Sequence, residues 1–209
     1  MALAYLDKMI ADGYGRSVTV GAFSTPVGGG TILDLDQPHQ AVGIPEGHVI
    51  RPIYLSASLF AGIRTADADE TELLVSLDSL ALWTGDGTST AENVSNLNSN
   101  KDKGSACRVG SAFTANMTTT PRNGGAAAAP VLDLELYHFA EVADQAGTAA
   151  NVAYRMRNPL YQPDYPVWAE GPATLFVHIG GTVAVTALTA VQWVEAPSDI
   201  MRKYMKGEL

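Results

Sequence analysis

The chain has 209 residues, of which 46% are hydrophobic and only 17% charged, with 13 basic and 22 acidic side chains and a net charge of -9. That length suits one domain with a sizeable core, since all-β sandwiches often reach about 200 residues as one unit. The acid excess excludes a nucleic-acid partner, because phosphate-backbone binding needs clustered Lys and Arg.

The first element, residues 1–15, places Leu3, Leu6, Met9 and Ile10 at helical spacing with Gly13 as a stop, which predicts a short N-terminal helix or arm. Its two aspartates and missing basic start exclude a signal peptide. Synthesis in a cytosol without secretion is therefore expected. No run approaches the roughly 18 apolar residues of a membrane span, so no membrane partner is expected.

From Arg16 the hydrophobic period changes to two and stays there over residues 16–197. RSVTVGAF opens the pattern, and TILDLD follows a VGGG turn. HVIRPIYLSASLF is a long strand with Val49, Ile53, Leu55, Ala57 and Leu59 on one predicted face, and Pro52 marks an edge or a bulge. ELLVSLDSLALW alternates through Leu73, Val75, Leu77, Ala81 and Trp83. The polar stretch from Thr84 to Ser105 reads as a functional or mobile loop of about 20 residues. ACRVGSAFTANM puts Cys107, Val109, Phe113, Ala115 and Met117 on one face.

PVLDLELYHFAEV is the cleanest alternation, with Leu132, Leu134, Leu136, Ala140 and Val142 against Asp133, Glu135 and Glu141. After an irregular proline-rich stretch, TLFVHIG and VAVTALTAVQWVEA predict a closing hairpin. Residues 198–209 read as a terminal helix or arm with Ser198 as N-cap, whose Arg202, Lys203 and Lys206 suit the dipole at its end. About eight strands without intervening helices exclude a parallel sheet. The uneven connections favour an all-β, antiparallel, two-sheet jelly-roll-like sandwich with short N-terminal and C-terminal helical arms.

Candidate chemistry is sparse. His39, His48, His138 and His178 are scattered and none forms a ligand pair in sequence, so no metal is expected, and His138 is expected to be a satisfied buried histidine. The acidic turn from Asp67 through Asp69 and Glu70 to Glu72 lacks the glycine and the final glutamate of an EF-hand loop and reads as solvated, with calcium binding left open. Asp86 in GDGTSTAEN is read in the same way. Cys107, the single cysteine, fits a buried small hydrophobe better than a nucleophile. No phosphate loop or serine elbow is present, so no enzyme activity and no cofactor are expected. Trp83 and Trp193 are in phase with apolar neighbours and read as core. Tyr161, Tyr165 and Trp168, in an aromatic and proline-rich segment, are the best candidates for a contact surface.

The segment VWAEGPATLFVHIGGTVAVTALTAVQWVEAPSD, with Gly171, Pro172, Trp193, Glu195 and Pro197, resembles the closing strands of jelly-roll virion proteins of tailed bacteriophages. The resemblance covers about half the chain and lies in strand and turn patterns. It implies a capsid cement (decoration) protein on the virion surface, made in the host cytoplasm. Such a protein sits as a homotrimer on the major capsid protein of the shell. A single jelly-roll major capsid protein, or a receptor-binding or carbohydrate-binding module of a phage fibre, is the alternative. On this reading Tyr5, Leu6 and Met9 of the first arm and Met201 and Tyr204 of the last are further candidates for partner contact.

Overall fold

The period-two alternation builds two packed antiparallel sheets in a computed structural model that describes residues 4–22, 24–28, 33–61, 70–142, 156–164, 167–181 and 185–209. In chain order the elements begin with α1 (Ala4–Ala11), β1 (Gly15–Val20), β2 (Val27–Gly28), β3 (Gln40–Ile44), β4 (His48–Ala61) and β5 (Glu70–Asp78). They continue with β6 (Ala81–Trp83), β7 (Thr90–Ala91), β8 (Ser95–Asn96), β9 (Arg108–Ser111), β10 (Thr119–Pro121) and β11 (Leu134–Val142). The last are β12 (Met156–Arg157), β13 (Leu160–Tyr161), β14 (Ala169–Glu170), β15 (Ala173–Gly181), β16 (Val185–Pro197) and α2 (Ser198–Lys206).

The first sheet centres on β4, β16 and β1, with β8 outside β1 and the short β12, β13 and β14 laid in turn along the far edge of β4. In the second sheet the order is β11-β5-β15-β3-β9-β7. Set aside the two-residue β2, which pairs at one end of β16, and let β12 to β14 count as one broken strand and residues 79–133 as an insertion. The first sheet then holds the first, eighth, third and sixth strands of the remaining series, and the second holds the second, seventh, fourth and fifth. Consecutive strands thus change sheet at every connection but one. That wrapping is a jelly roll.

The main core lies between the sheets and includes Val42, Ile44, Ile50, Leu55, Leu59, Leu73, Leu77, Leu175, Val191 and Trp193. Burial of one such aliphatic side chain contributes about 2 kcal/mol. A second cluster joins the helices to the first sheet through Leu6, Met9, Val49, Val194, Ala196, Met201 and Tyr204. A third, on the outer face of the second sheet, contains Ala41, Trp83, Phe113, Met117 and Phe176. Trp83 fits there because glycines lie beneath it. A Cβ on Gly110 would stand 2.5 Å from the Trp83 ring, and one on Gly43 2.7 Å from its carbonyl oxygen.

Two bulges redirect the predicted faces. Gln192 pairs with Tyr54 and Trp193 with Pro52, which leaves Ile53 as the extra residue of β4. Pro52 therefore marks a bulge, and β4 is not an edge strand. One extra residue reverses the parity of everything beyond it. Val49 and Ile53 accordingly face the helices, whereas Ile50, Leu55, Ala57 and Leu59 face the main core. The second bulge lies between Glu135 and Tyr137 of β11. Past it, Tyr137 and Phe139 turn to the core and Ala140 to solvent. His138 is exposed, 3.8 Å from Glu72, and is not the buried histidine expected.

Other expectations are also corrected. β15 and β16 form no hairpin, since β15 pairs with β3 and β5 and β16 with β1 and β4. Both carry enough apolar side chains to occupy the centres of separate sheets. Residues 84–105 are not structureless, because β7 extends one sheet and β8 the other, so the segment closes that side of the sandwich. The alternation through ELLVSLDSLALW breaks at Ser79 and Leu80, where β5 ends and β6 turns away to pair with β10. Residues 33–36 of TILDLD are not a strand. Pro197 occupies the N-cap of α2, and the Ser198 backbone N–H donates to the Gly47 carbonyl at 2.8 Å.

Candidate functional site

The contact candidates of the two termini fall into one place, and most of them are spent within the chain. Leu6 and Met9 of α1 and Met201 and Tyr204 of α2 are buried in the helix cluster, so they correct the expectation of partner-facing arms. Amphipathic stripes at both ends find each other and the outer side of β4 and β16, which removes more apolar surface than extension into solvent would. Tyr204 meets Tyr14 edge to face with centroids 5.8 Å apart, and its hydroxyl donates to Asp12. Burial, followed by that carboxylate, pushes the Tyr204 phenol up.

Tyr5 is half-buried beneath the Arg51 guanidinium at 5.5 Å, and the Trp168 ring lies 4.6 Å from the same group. Trp168 is thus half-buried and committed to Arg51. Tyr161 is buried in the main core beside Tyr137, with ring centroids 5.9 Å apart. Tyr165 lies outside the described residues. The aromatic segment therefore closes the edge of β4 with at least two of its three rings engaged.

A different surface emerges around the turn after β5 and the approach to β11. Leu80 and Val131 are each 60% exposed, Leu134 is 42% exposed and Leu132 stands beside them. Asp78 holds this region together, since it accepts the Leu80 N–H at 3.1 Å on one oxygen and the Val131 N–H at 3.3 Å on the other. Asp133 accepts from the Ser79 hydroxyl and from its N–H at 3.2 Å. Fixed backbone with outward apolar side chains gives a shaped hydrophobic strip rather than a loose loop. β11 is the outermost strand of its sheet among the described residues, which is why Leu134 stays exposed although it is registered opposite Leu77. Sequence reasoning turned Leu132 and Leu134 inward. The signal it passed over was the run Pro130-Val131-Leu132, where apolar residues precede the strand.

The most elaborate polar centre is internal. Arg16 of β1 and Glu195 of β16 lie 3.7 Å apart with 3% and 4% of their side chains exposed. Glu195 also accepts from the Ser105 hydroxyl at 2.7 Å, the Ala106 N–H at 2.6 Å and the Trp193 indole at 3.0 Å. The Arg16 guanidinium donates to the carbonyls of Gly13, Gly15 and Gly104. Cys107 is buried beside this centre, and burial, reinforced by Glu195, pushes its thiol well up, which opposes the reactive thiolate form. The arrangement ties residues 104–106, in the middle of the insertion, to the first sheet.

Among the described residues no group of three His, Cys, Asp or Glu could hold a metal ion. Asp67 and Asp69 lie outside the described residues, and Glu72 faces His138. Asp86 accepts from the Thr118 backbone and hydroxyl. No helix among the described residues is long and apolar enough to cross a membrane. The fold defines a jelly-roll β-sandwich with an exposed apolar strip at the end of one sheet. No protein-family model matches the chain, and no curated protein matches it at a significant level.

Proposed function

We propose that this chain is a structural assembly subunit, a cement (decoration) protein that sits as a homotrimer on the major capsid protein of a phage shell. The observation that carries the reading is the rigidly held strip of Leu80, Val131, Leu132 and Leu134. Apolar side chains presented together by a fixed backbone are stabilised when a second surface covers them. The occupant proposed is another copy of the same chain. The jelly-roll strand order and the acidic balance are compatible with this role.

Use as a glycan-binding module is supported less well, because Tyr161 is inside the core and the Trp168 ring is stacked on Arg51. Light scattering at several concentrations tests the proposal. Three chain masses are expected for the native protein, and one for Leu80→Glu/Val131→Glu with an unchanged circular dichroism spectrum. A native monomer at every concentration, or a trimer that survives the substitutions, would overturn self-association through this strip. Co-sedimentation of the trimer with phage shells stripped of their surface proteins tests the capsid partner.

A further inference from the structure

His39 and His178 are 139 positions apart in sequence, yet the fold brings them side by side. Gln40 is registered opposite Val177 and Ala41 opposite Phe176, so one step further along the two strands His39 adjoins His178. Ala41 and Phe176 both belong to the outer-face cluster, and residues two positions along share their face. Both histidines are nearly inaccessible, at 3% and 2% exposure. Neither nitrogen of His39 forms a hydrogen bond of normal geometry, and Nδ1 of His178 has none either. Nε2 of His178 lies 3.4 Å from the Leu35 carbonyl.

What covers the pair is held by a few polar contacts. The Met117 N–H donates to the Asp36 carbonyl at 2.9 Å, and Gln37 and Asn116 bond side chain to side chain at 2.8 Å. The Thr114 N–H donates to the Thr88 carbonyl at 2.9 Å. Beneath these contacts lie Trp83, Phe113, Met117 and Phe176, with the Phe176 ring 5.6 Å from that of His178.

We propose that His39 and His178 form an acid-sensitive latch, which holds residues 33–37 and 113–118 over the second sheet while neutral and opens that cover when the rings take up protons. Two imidazolium groups on adjacent strands repel each other, and the few polar groups around them do not replace the water lost on burial. Opening admits water to both rings and leaves the core between the sheets untouched. The charged groups around the pair do not neutralise it. Asp34 favours the charged form of His178 but is outweighed by burial, and Asp36 is engaged by Asn116. On β5, Glu72 faces His138, while Ser111 of β9 bonds to Glu92. Arg108, also of β9, stacks on Trp83, and Asp86 of the insertion serves Thr118. The Gly28 backbone favours the charged form of His39 but is outweighed by burial.

Hydrogen exchange followed from pH 7 to pH 4, corrected for the intrinsic pH dependence, tests the latch. The amides of Thr114 and Met117 are expected to lose protection by about a hundredfold or more, and to exchange faster at every pH than those of β4 and β16, which need global unfolding. His39→Gln/His178→Gln is expected to abolish most of that acid loss. Should the double variant not fold, the single variants and the ring resonances of the native protein replace it, and both rings must titrate together with the loss of protection. An equal acid loss in the glutamine variants would overturn the proposal. So would retained protection at pH 4, or protection of Thr114 and Met117 equal at every pH to that of β4 and β16, which would mean exchange through global unfolding alone.

Discussion

Arg16 and Glu195 form an ion pair inside the sandwich, 3.7 Å apart, and the carboxylate is the point at which β16, β1 and the middle of the insertion, at Ser105 and Ala106, meet. A buried pair of this kind contributes little beyond a well-packed apolar replacement, yet loss of one member leaves a charge stranded.

Glu195→Ala is therefore expected to lower stability by about 3–5 kcal/mol, measured by urea denaturation, because Arg16 loses its counter-charge. The Ser105 hydroxyl, the Ala106 N–H and the Trp193 indole lose their acceptor as well. Arg16→Met/Glu195→Leu is expected to cost less than the sum of the single changes, since it removes both charges together.

Stability should fall with acid. Burial depresses both His39 and His178 from the usual 6.5 to about 4, so the folded state refuses protons that the unfolded chain accepts. Their contribution is fully present above pH 6.5, declines as the pH falls below that value, and is exhausted near pH 4. Each histidine accounts for about 3 kcal/mol over the window. Denaturation midpoints measured from pH 7.5 to pH 4.5 should drop accordingly, and should drop less in His178→Gln.

Cys107 should be silent toward a thiol reagent at pH 8 in the native protein and react fully in denaturant, because burial and the nearby Glu195 both oppose the thiolate. Rapid labelling of native protein would contradict the packing of the insertion around Cys107.

Gly110→Ala should destabilise by about 1–3 kcal/mol through overpacking, read as a lower melting temperature. The added methyl would sit 2.5 Å from the Trp83 ring, which is held at its indole N–H by the Asp86 carbonyl at 2.9 Å and is not free to retreat. Gly104→Ala, where a Cβ meets nothing within 4 Å and the backbone is likewise not left-handed, controls for the loss of glycine itself.

An antiparallel all-β sandwich was already legible in the pattern of residues. Alternation of apolar side chains is a local property, and strands such as Leu73-Val75-Leu77 display it without reference to any partner. The same locality placed Trp83, Trp193 and Cys107 inside. Amphipathic stripes likewise identified both terminal helices, though not what those stripes cover. Which strands pair was not legible there and follows from the packing of the whole chain. TLFVHIG and the strand after it looked like hairpin arms because they are neighbours in sequence, but each is apolar enough to fill the centre of its own sheet. That packing also decided the faces of β4 and β11, since one unpaired residue at Ile53 or Leu136 reverses parity and leaves no mark on composition. The exposed strip and the adjacent histidines stayed hidden for the same reason. Exposure of Leu134 depends on β11 being outermost, and the nearness of His39 to His178 depends on β3 pairing with β15. Long-range register arises from the balance of the whole core, and no window of neighbouring residues contains it.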